Sequence, residues 1–122
     1  MLITELDVWK ASMDLAKDLF ELSKTFPETE NGGLGEMMRK TVIMVPSNIA
    51  SAASRKYGKE SLVYLQKAKG FIFEIETQLY LAERLGYITE EELTKNLEQL
   101  DTARKLLYGF IKYYNRTSQS PQ

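Results

Sequence analysis

The chain has 122 residues, of which 43% are hydrophobic, and its formal net charge is −1. This length suits one domain with a single core, and the composition is typical of a folded chain. Cysteine and histidine are absent, which excludes disulfides, thiolate metal sites, Ser-His-Asp or Cys-His catalysis and Glu-x-x-His di-iron sites. We therefore expect no metal and no cofactor, and an enzyme would have to work with carboxylates and lysines alone.

A first helix is predicted near the start of the chain, where apolar residues recur at spacings of three and four. Its inward residues are predicted to be Leu2, Leu6, Trp9, Met13, Ala16 and Phe20. Thr4 or Asp7 is expected to cap it. The helix is expected to end in "TFPETENGG" (25–33), because Pro27 disfavours helix at Phe26. The glycines that follow lack the Lys-Ser/Thr of a phosphate-binding loop, so this segment is interpreted as a turn.

The second predicted helix contains fourteen consecutive uncharged residues, Thr41 to Ser54. Since a bundle helix normally presents charged residues to water, either the chain's own bundle covers this helix on three sides or a second subunit covers its outer face. We favour the second interpretation. Pro46 predicts a kink that Ser47 and Asn48 are placed to repair. The inward stripe is predicted to be Leu34, Met38, Val42, Val45, Ile49 and Ala52. The oligomer interface is predicted at Val45, Ile49, Ala50 and Ala53.

The third and fourth helices are separated by a clear stop and restart. Gly86 fits a C-terminal cap, and Thr89 with Glu92 fits a capping box. The fourth helix is predicted from about Glu90 to Tyr114. The third helix keeps a heptad-like rhythm at Leu65, Ala68, Ile72, Ile75, Leu79 and Ala82. The inward residues of the fourth are predicted to be Leu93, Leu97, Leu100, Ala103, Leu107, Phe110 and Tyr114.

Four amphipathic helices with short connections predict an all-α fold, an antiparallel up-and-down four-helix bundle. Residues 1–115 are expected to form one domain, and 116–122 a polar flexible tail. No uncharged run reaches the roughly 20 residues that a membrane-spanning helix needs, and the first residues do not resemble a signal peptide. We expect a cytoplasmic protein with no membrane partner.

Positive charge is concentrated in the middle of the chain. From Met37 to Gly70 there are seven Lys or Arg residues and one acid, a net of +6, whereas the remainder carries −7. Cations flanking Tyr57 favour a surface that binds phosphates and bases; the alternative is that the cations scatter over solvated faces. The residues predicted to bind nucleic acid are Arg55, Lys56, Lys59 and Lys67, with Arg39 and Lys40 as a second patch.

Several short motifs occur in a characteristic order along the chain. They are "DVWKA" (7–11), "FPETE" (26–30), "VPSNIA" (45–50), "LQKAKG" (65–70), "EIET" (74–77) and "LGYI" (85–88), with Arg55 between the third and fourth. In this order they resemble the four-helix-bundle family named for the 23S ribosomal RNA intervening sequence protein. The resemblance extends from about Leu6 to Phe110.

This resemblance implies a non-enzymatic bundle that assembles as a homopentamer. Many members of the family are encoded within intervening sequences of large-subunit ribosomal RNA genes. A related branch, the accessory variability determinants of diversity-generating retroelements, binds nucleic acid and a reverse transcriptase. The implied partners are therefore further copies of the chain, structured RNA or DNA, and a nucleic-acid-processing protein.

The chain departs from the family pattern in ways that bear on nucleic-acid binding more than on the fold. It has "NIASA" (48–52) where the family usually has "NIAEG", and Phe71 where a serine is usual. The retroelement branch is markedly basic, whereas this chain carries −1. Two functions stay open: an oligomeric accessory protein that binds structured RNA, and an oligomeric protein-interaction scaffold that does not bind nucleic acid.

Overall fold

The structure, a computed structural model, describes residues 2–27, 32–55 and 58–119 of the chain. Across these three ranges the secondary structure is entirely helical, with no strand. A short 3-10 helix, Ile3–Glu5, precedes the first α-helix. The α-helices are α1 (Asp7–Ser23), α2 (Leu34–Ala53), α3 (Gly58–Arg84) and α4 (Glu90–Gln119). The predicted all-α fold class is confirmed.

The helices pack in chain order, and α1 closes the bundle by packing against α4. Two side-chain pairs give the direction of α3 relative to α2. Gln78 donates to Thr41 over 3.0 Å, and Arg55 donates to Tyr64 over 2.8 Å. Because residue numbers rise along one helix as they fall along the other, the two helices are antiparallel. The arrangement is the four-helix bundle that the sequence predicts.

The core is built from the apolar stripes predicted on α2 and α3. Every member of both stripes is buried. On α3 the heptad-like spacing keeps these side chains on the face that meets the bundle interior, and their removal from water is the main favourable contribution to folding. On α4 the residues Leu93, Leu100, Ala103 and Leu107 are buried as predicted, whereas Leu97, Phe110 and Tyr114 are only partly buried and Ile111 joins the core instead.

The predicted inward face of α1 is largely wrong. Leu2 and Met13 are exposed, Trp9 and Phe20 are only partly buried, and of the predicted set Ala16 alone is fully inside. The helix has two adjacent apolar stripes, and the compact aliphatic stripe faces the core while the bulkier aromatic stripe lies along its edge. The residues that α1 buries are Val8, Ser12, Leu15, Ala16, Leu19, Leu22 and Ser23.

The predicted cap of α1 is also wrong, whereas both signals between α3 and α4 are confirmed. Leu6 is the N-cap of α1 and makes no side-chain hydrogen bond, so neither Thr4 nor Asp7 caps the helix. At α4 the Thr89 hydroxyl accepts from the Glu92 amide over 3.1 Å, and the Glu92 carboxylate accepts from the Thr89 amide over 2.9 Å. Gly86 has φ +77°, the left-handed conformation that ends α3.

Helix α4 extends further than predicted. The sequence predicted a flexible tail over 116–122, but α4 continues through Gln119, and 120–122 lie outside the described residues. No glycine or proline occurs in this stretch until Pro121, so nothing in the local sequence stops the helix earlier. The opposite end of α4 is acidic: Glu90, Glu91 and Glu92 occupy its first turn, where they stabilise the positive end of the helix dipole.

Pro46 lies buried inside α2, which continues on both sides of it as one helix. The Asn48 side chain donates from Nδ2 to the Met44 carbonyl over 2.7 Å. The carbonyl that Pro46 leaves without an amide donor is that of Val42, four residues back, so this bond is not the predicted repair, and the Ser47 side chain bonds to no described residue.

We predict that Ile75→Ala lowers the free energy of unfolding by about 2–5 kcal/mol, because Ile75 is fully buried and its loss leaves a cavity. Leu81→Ala on the same helix is the control, since Leu81 is 44% exposed and its truncation should cost less than about 1 kcal/mol. Urea denaturation at one protein concentration measures both. Equal costs at the two positions would contradict the assigned core face.

Candidate nucleic-acid interface

A cluster of cations and one aromatic ring lies where α2 ends and α3 begins. Arg55 follows α2, and its Nη2 donates to the Tyr64 hydroxyl over 2.8 Å. The Arg55 guanidinium carbon lies 4.6 Å from the centroid of the Tyr64 ring. From one turn further along α3, the Lys67 ammonium lies 5.2 Å from the same centroid. Both distances are within the range of cation–π attraction, so Tyr64 holds two positive charges close together.

Lys59 extends this positive surface along α3. Lys59 and Lys67 line one shallow depression of about 520 Å³, together with Leu62, Val63 and Gln66. Lys67 therefore lies beside Lys59 in this depression and also beside the Tyr64 ring, so it connects the two groups of residues. We call Arg55, Lys59, Tyr64 and Lys67 the basic corner. It brings together three of the four cations that the sequence predicted as the main site, while Lys56 lies outside the described residues.

The positive charges of the basic corner are not neutralised by neighbouring acids. Among the residues that the structure describes, no carboxylate forms an ion pair with Arg55, Lys59 or Lys67. Other cations on this chain are paired: Lys105, for instance, lies 3.3 Å from Asp101. The basic corner is therefore a local excess of positive charge on a chain whose overall charge is slightly negative.

Arg39 and Lys40, the predicted second patch, do not form a free cationic surface. Arg39 is partly buried, and its Nη1 donates to the Ser23 hydroxyl of α1 over 2.9 Å. Lys40 forms an ion pair with Glu36 one turn away, at 3.3 Å. Arg39 thus ties α1 to α2, and Lys40 is locally neutralised. We correct the candidate site accordingly to the basic corner alone.

The predicted oligomer interface also needs correction. Val45 and Ile49 are 1% and 0% exposed within the chain's own core, so they offer no surface to a second subunit. Ala50 and Ala53 are partly buried and still reach the surface. The apolar side chain that α2 exposes on the same flank is Ile43, which is 49% exposed and lies seven residues before Ala50.

Ser61 holds the helices together beneath the basic corner. Its buried hydroxyl donates to the Ala52 carbonyl at the end of α2 over 2.7 Å. The Ser61 side chain is also hydrogen-bonded to Tyr114 of α4. Burial raises the pKa of the Tyr114 hydroxyl above its ordinary value, and the bond with Ser61 opposes that shift. One small side chain thus connects three helices and fixes where Arg55 leaves α2.

Tyr64 was not predicted as part of the site. Arg55 lies in the α2–α3 turn, whereas Tyr64 is the seventh residue of α3, so the long arginine side chain reaches along α3 to meet the ring. Counting outward from the turn does not pair these two residues, and their contact becomes visible only in the structure.

The described ranges contain neither a candidate metal site nor a membrane-spanning helix. No group of three or more Asp or Glu side chains there is arranged to hold a metal ion. None of the described helices is long and apolar enough to cross a membrane.

The fold and the basic corner together define a small four-helix bundle with an unneutralised cationic and aromatic surface at one helix turn. The chain belongs to the 23S rRNA-intervening sequence protein family, whose model matches residues 4–109. This match confirms the resemblance carried by the ordered motifs. A comparison with curated proteins found no match.

We predict that Ser61→Ala lowers the free energy of unfolding by about 1–1.5 kcal/mol, because the Ala52 carbonyl loses the Ser61 hydroxyl and keeps only the Arg55 amide as a donor. Ser54→Ala is the control: the Ser54 hydroxyl bonds to the Ser51 carbonyl at the exposed surface, where water replaces it, and the change should stay within about 0.5 kcal/mol. Urea denaturation compares the two variants. An unchanged midpoint for Ser61→Ala would show that the bond does not hold the hairpin.

Proposed function

We propose that this protein is a non-enzymatic, homo-oligomeric bundle that binds structured RNA through the basic corner. The observation that carries the proposal is the set of Arg55, Lys59 and Lys67 on one surface, none paired with an acid among the described residues. Phosphate groups bind such a surface by displacing condensed counterions, which makes the affinity depend steeply on salt.

The restricted position of the Arg55 side chain in the basic corner supports this function. The hydrogen bond from Arg55 to Tyr64 restricts the guanidinium before any ligand arrives, so less side-chain entropy is lost on binding. Arginine also presents donors in a planar fork that matches phosphate oxygens, while the two lysines act as point charges beside it. Membership of the 23S rRNA-intervening sequence protein family is consistent with a role close to structured RNA.

The exposed flank of α2 supports self-association. Ile43 is exposed near the start of the uncharged run, and Ala50 on the same flank allows another backbone to approach closely. A face of this kind is unusual on a bundle helix that meets water, and a heterologous contact between identical subunits closes into a ring when the rotation permits. The resemblance stated above implies five subunits. Repetition of the basic corner around a ring would add weak RNA contacts by avidity.

The competing function is a scaffold that binds another protein and no nucleic acid. The observation that favours it lies on the side of the bundle formed by α3 and α4, where Phe73, Tyr80 and Tyr108 are all exposed. Aromatic residues are enriched at protein interfaces. For both functions we expect the protein to act in the cytoplasm. If it binds RNA, we expect it to act together with a nucleic-acid-processing protein.

We predict that the protein binds a labelled structured RNA with an affinity that falls steeply between low and moderate salt. Replacing Arg55, Lys59 and Lys67 together with glutamine should reduce the slope of log affinity against log salt by about 2–3, because three phosphate contacts are lost. Fluorescence anisotropy at several salt concentrations measures both quantities, and a duplex DNA of equal length tests the preference for RNA.

The matched control is the triple variant Lys17→Gln, Lys40→Gln and Lys95→Gln, which removes the same charge at exposed positions outside the basic corner. Its salt slope should stay close to that of the parent protein. An equal reduction of the salt slope in the two variants would show that RNA binding depends only on the net charge of the protein. Absence of binding even at low salt would contradict RNA binding and leave the scaffold function.

We predict that Ile43→Glu converts the oligomer to a monomer, because a buried unpaired carboxylate at a subunit contact is costly. Light scattering after size-exclusion chromatography gives the mass directly. Leu81→Glu, on the exposed surface of α3, is the control and should leave the assembly intact. A parent protein that is monomeric at micromolar concentration would refute self-association. Dissociation of Leu81→Glu alone would move the contact to α3.

A further inference from the structure

A groove runs between α2 and α3 directly beside the basic corner. It has a volume of about 560 Å³, which is in the range of small-molecule sites. Its position follows from the hairpin register that pairs Arg55 with Tyr64 at one end and Thr41 with Gln78 further along. The residues that line it are Met44, Ser47, Asn48, Ser51, Tyr64, Lys67 and Phe71.

The lining of this groove combines an apolar surface with groups free to form hydrogen bonds. Met44 and Phe71 supply apolar surface. The hydroxyls of Ser47 and Ser51 make no hydrogen bond to any residue in the part of the chain that the structure describes. Asn48 is nearly buried, and its bond to the Met44 carbonyl holds its amide in one orientation. A planar ligand with polar edges suits these walls.

The charge at one end of the groove indicates an anionic ligand. Lys67 lines both this groove and the depression that contains Lys59. Arg55 reaches the same end through its contacts with Tyr64, another lining residue. None of the described residues that line the groove is acidic. A group with a negative end and a flat polar end would therefore place its charge at Arg55 and Lys67 and its plane between Met44 and Phe71.

We propose that the groove accepts one unpaired nucleobase of a bound RNA, with the adjoining phosphate at Lys67 and Arg55. This inference rests on the proposed function and adds to it the structural class of RNA. A base inside a duplex is stacked and paired, so only a loop, a bulge or a single-stranded end can place a base in the groove. The protein should then prefer RNA with an unpaired loop to a perfect duplex of the same charge.

Two labelled RNAs test this inference. One is a hairpin whose stem closes an unpaired loop, and the other is a blunt duplex with the same number of phosphates. The parent protein is expected to bind the hairpin tighter by about tenfold or more, as is common when one base stacks on a protein surface. Both affinities are measured by fluorescence anisotropy at one fixed salt concentration.

Two neutral substitutions fill the groove without changing the charge of the basic corner. Ser51→Leu is the main variant, and Ser47→Leu is the second, because Ser47 is exposed and its replacement does not disturb the core. Both should bind hairpin and duplex about equally, at the affinity the parent protein has for the duplex. The matched control is Thr77→Leu, an exposed position on α3 outside the groove, which should keep the preference.

The outcomes separate this inference from the function on which it rests. Equal binding of hairpin and duplex by the parent protein would overturn the nucleobase site while leaving RNA binding in place. So would a hairpin preference that survives in both filled variants. Weaker binding of both RNAs by Lys67→Gln, together with a hairpin preference that is lost only in the filled variants, would support both statements. No binding of either RNA by the parent protein would overturn both.

Discussion

The antiparallel packing of α2 against α3 is the constraint on which the rest of the structure depends. Both helices bury an unbroken apolar stripe, and these stripes match in only one register without exposing core residues to water. That register places Thr41 opposite Gln78 and Arg55 opposite Tyr64. The basic corner and the neighbouring groove are therefore consequences of core packing, because their side chains lie beside the buried stripes that set the position of both helices.

The uncharged run of α2 borders two surfaces, one on each side of its buried stripe. Its central stripe lies in the core, so the run is explained in part by the chain's own bundle. Arg39 marks the flank that faces α1, and Ile43 and Ala50 follow along it. Thr41 marks the flank that faces α3, and the groove lies along that side. The proposed subunit contact and the proposed ligand would cover these flanks, and a charge within the run of 41–54 would have to be desolvated there, which accounts for the absence of charge in the run.

Much of the fold could be predicted from the sequence because periodicity reports burial directly. The stripes of α2 and α3 and the capping box at Thr89 are as expected, since each depends on neighbours three or four residues apart. The face of α1 was missed because two adjacent apolar stripes compete there, and only packing against the other helices decides between them. The candidate site could be predicted only in part. A run of cations is visible in the sequence, but the contact between Tyr64 and Arg55 and the bond from Arg39 to α1 both depend on packing between helices.

The acidic first turn of α4 has a consequence for how the protein would meet the proposed polyanionic ligand. It follows the far end of α3, a helix of 27 residues, and so lies about 25–40 Å from the residues of the basic corner. Opposite charges separated by that distance give the subunit a permanent electric dipole moment along the bundle axis. A nearby polyanion exerts a torque on this dipole and turns the basic corner towards itself before contact. A larger share of diffusive collisions then begins in a productive orientation, which raises the association rate at low ionic strength more than the net charge would suggest.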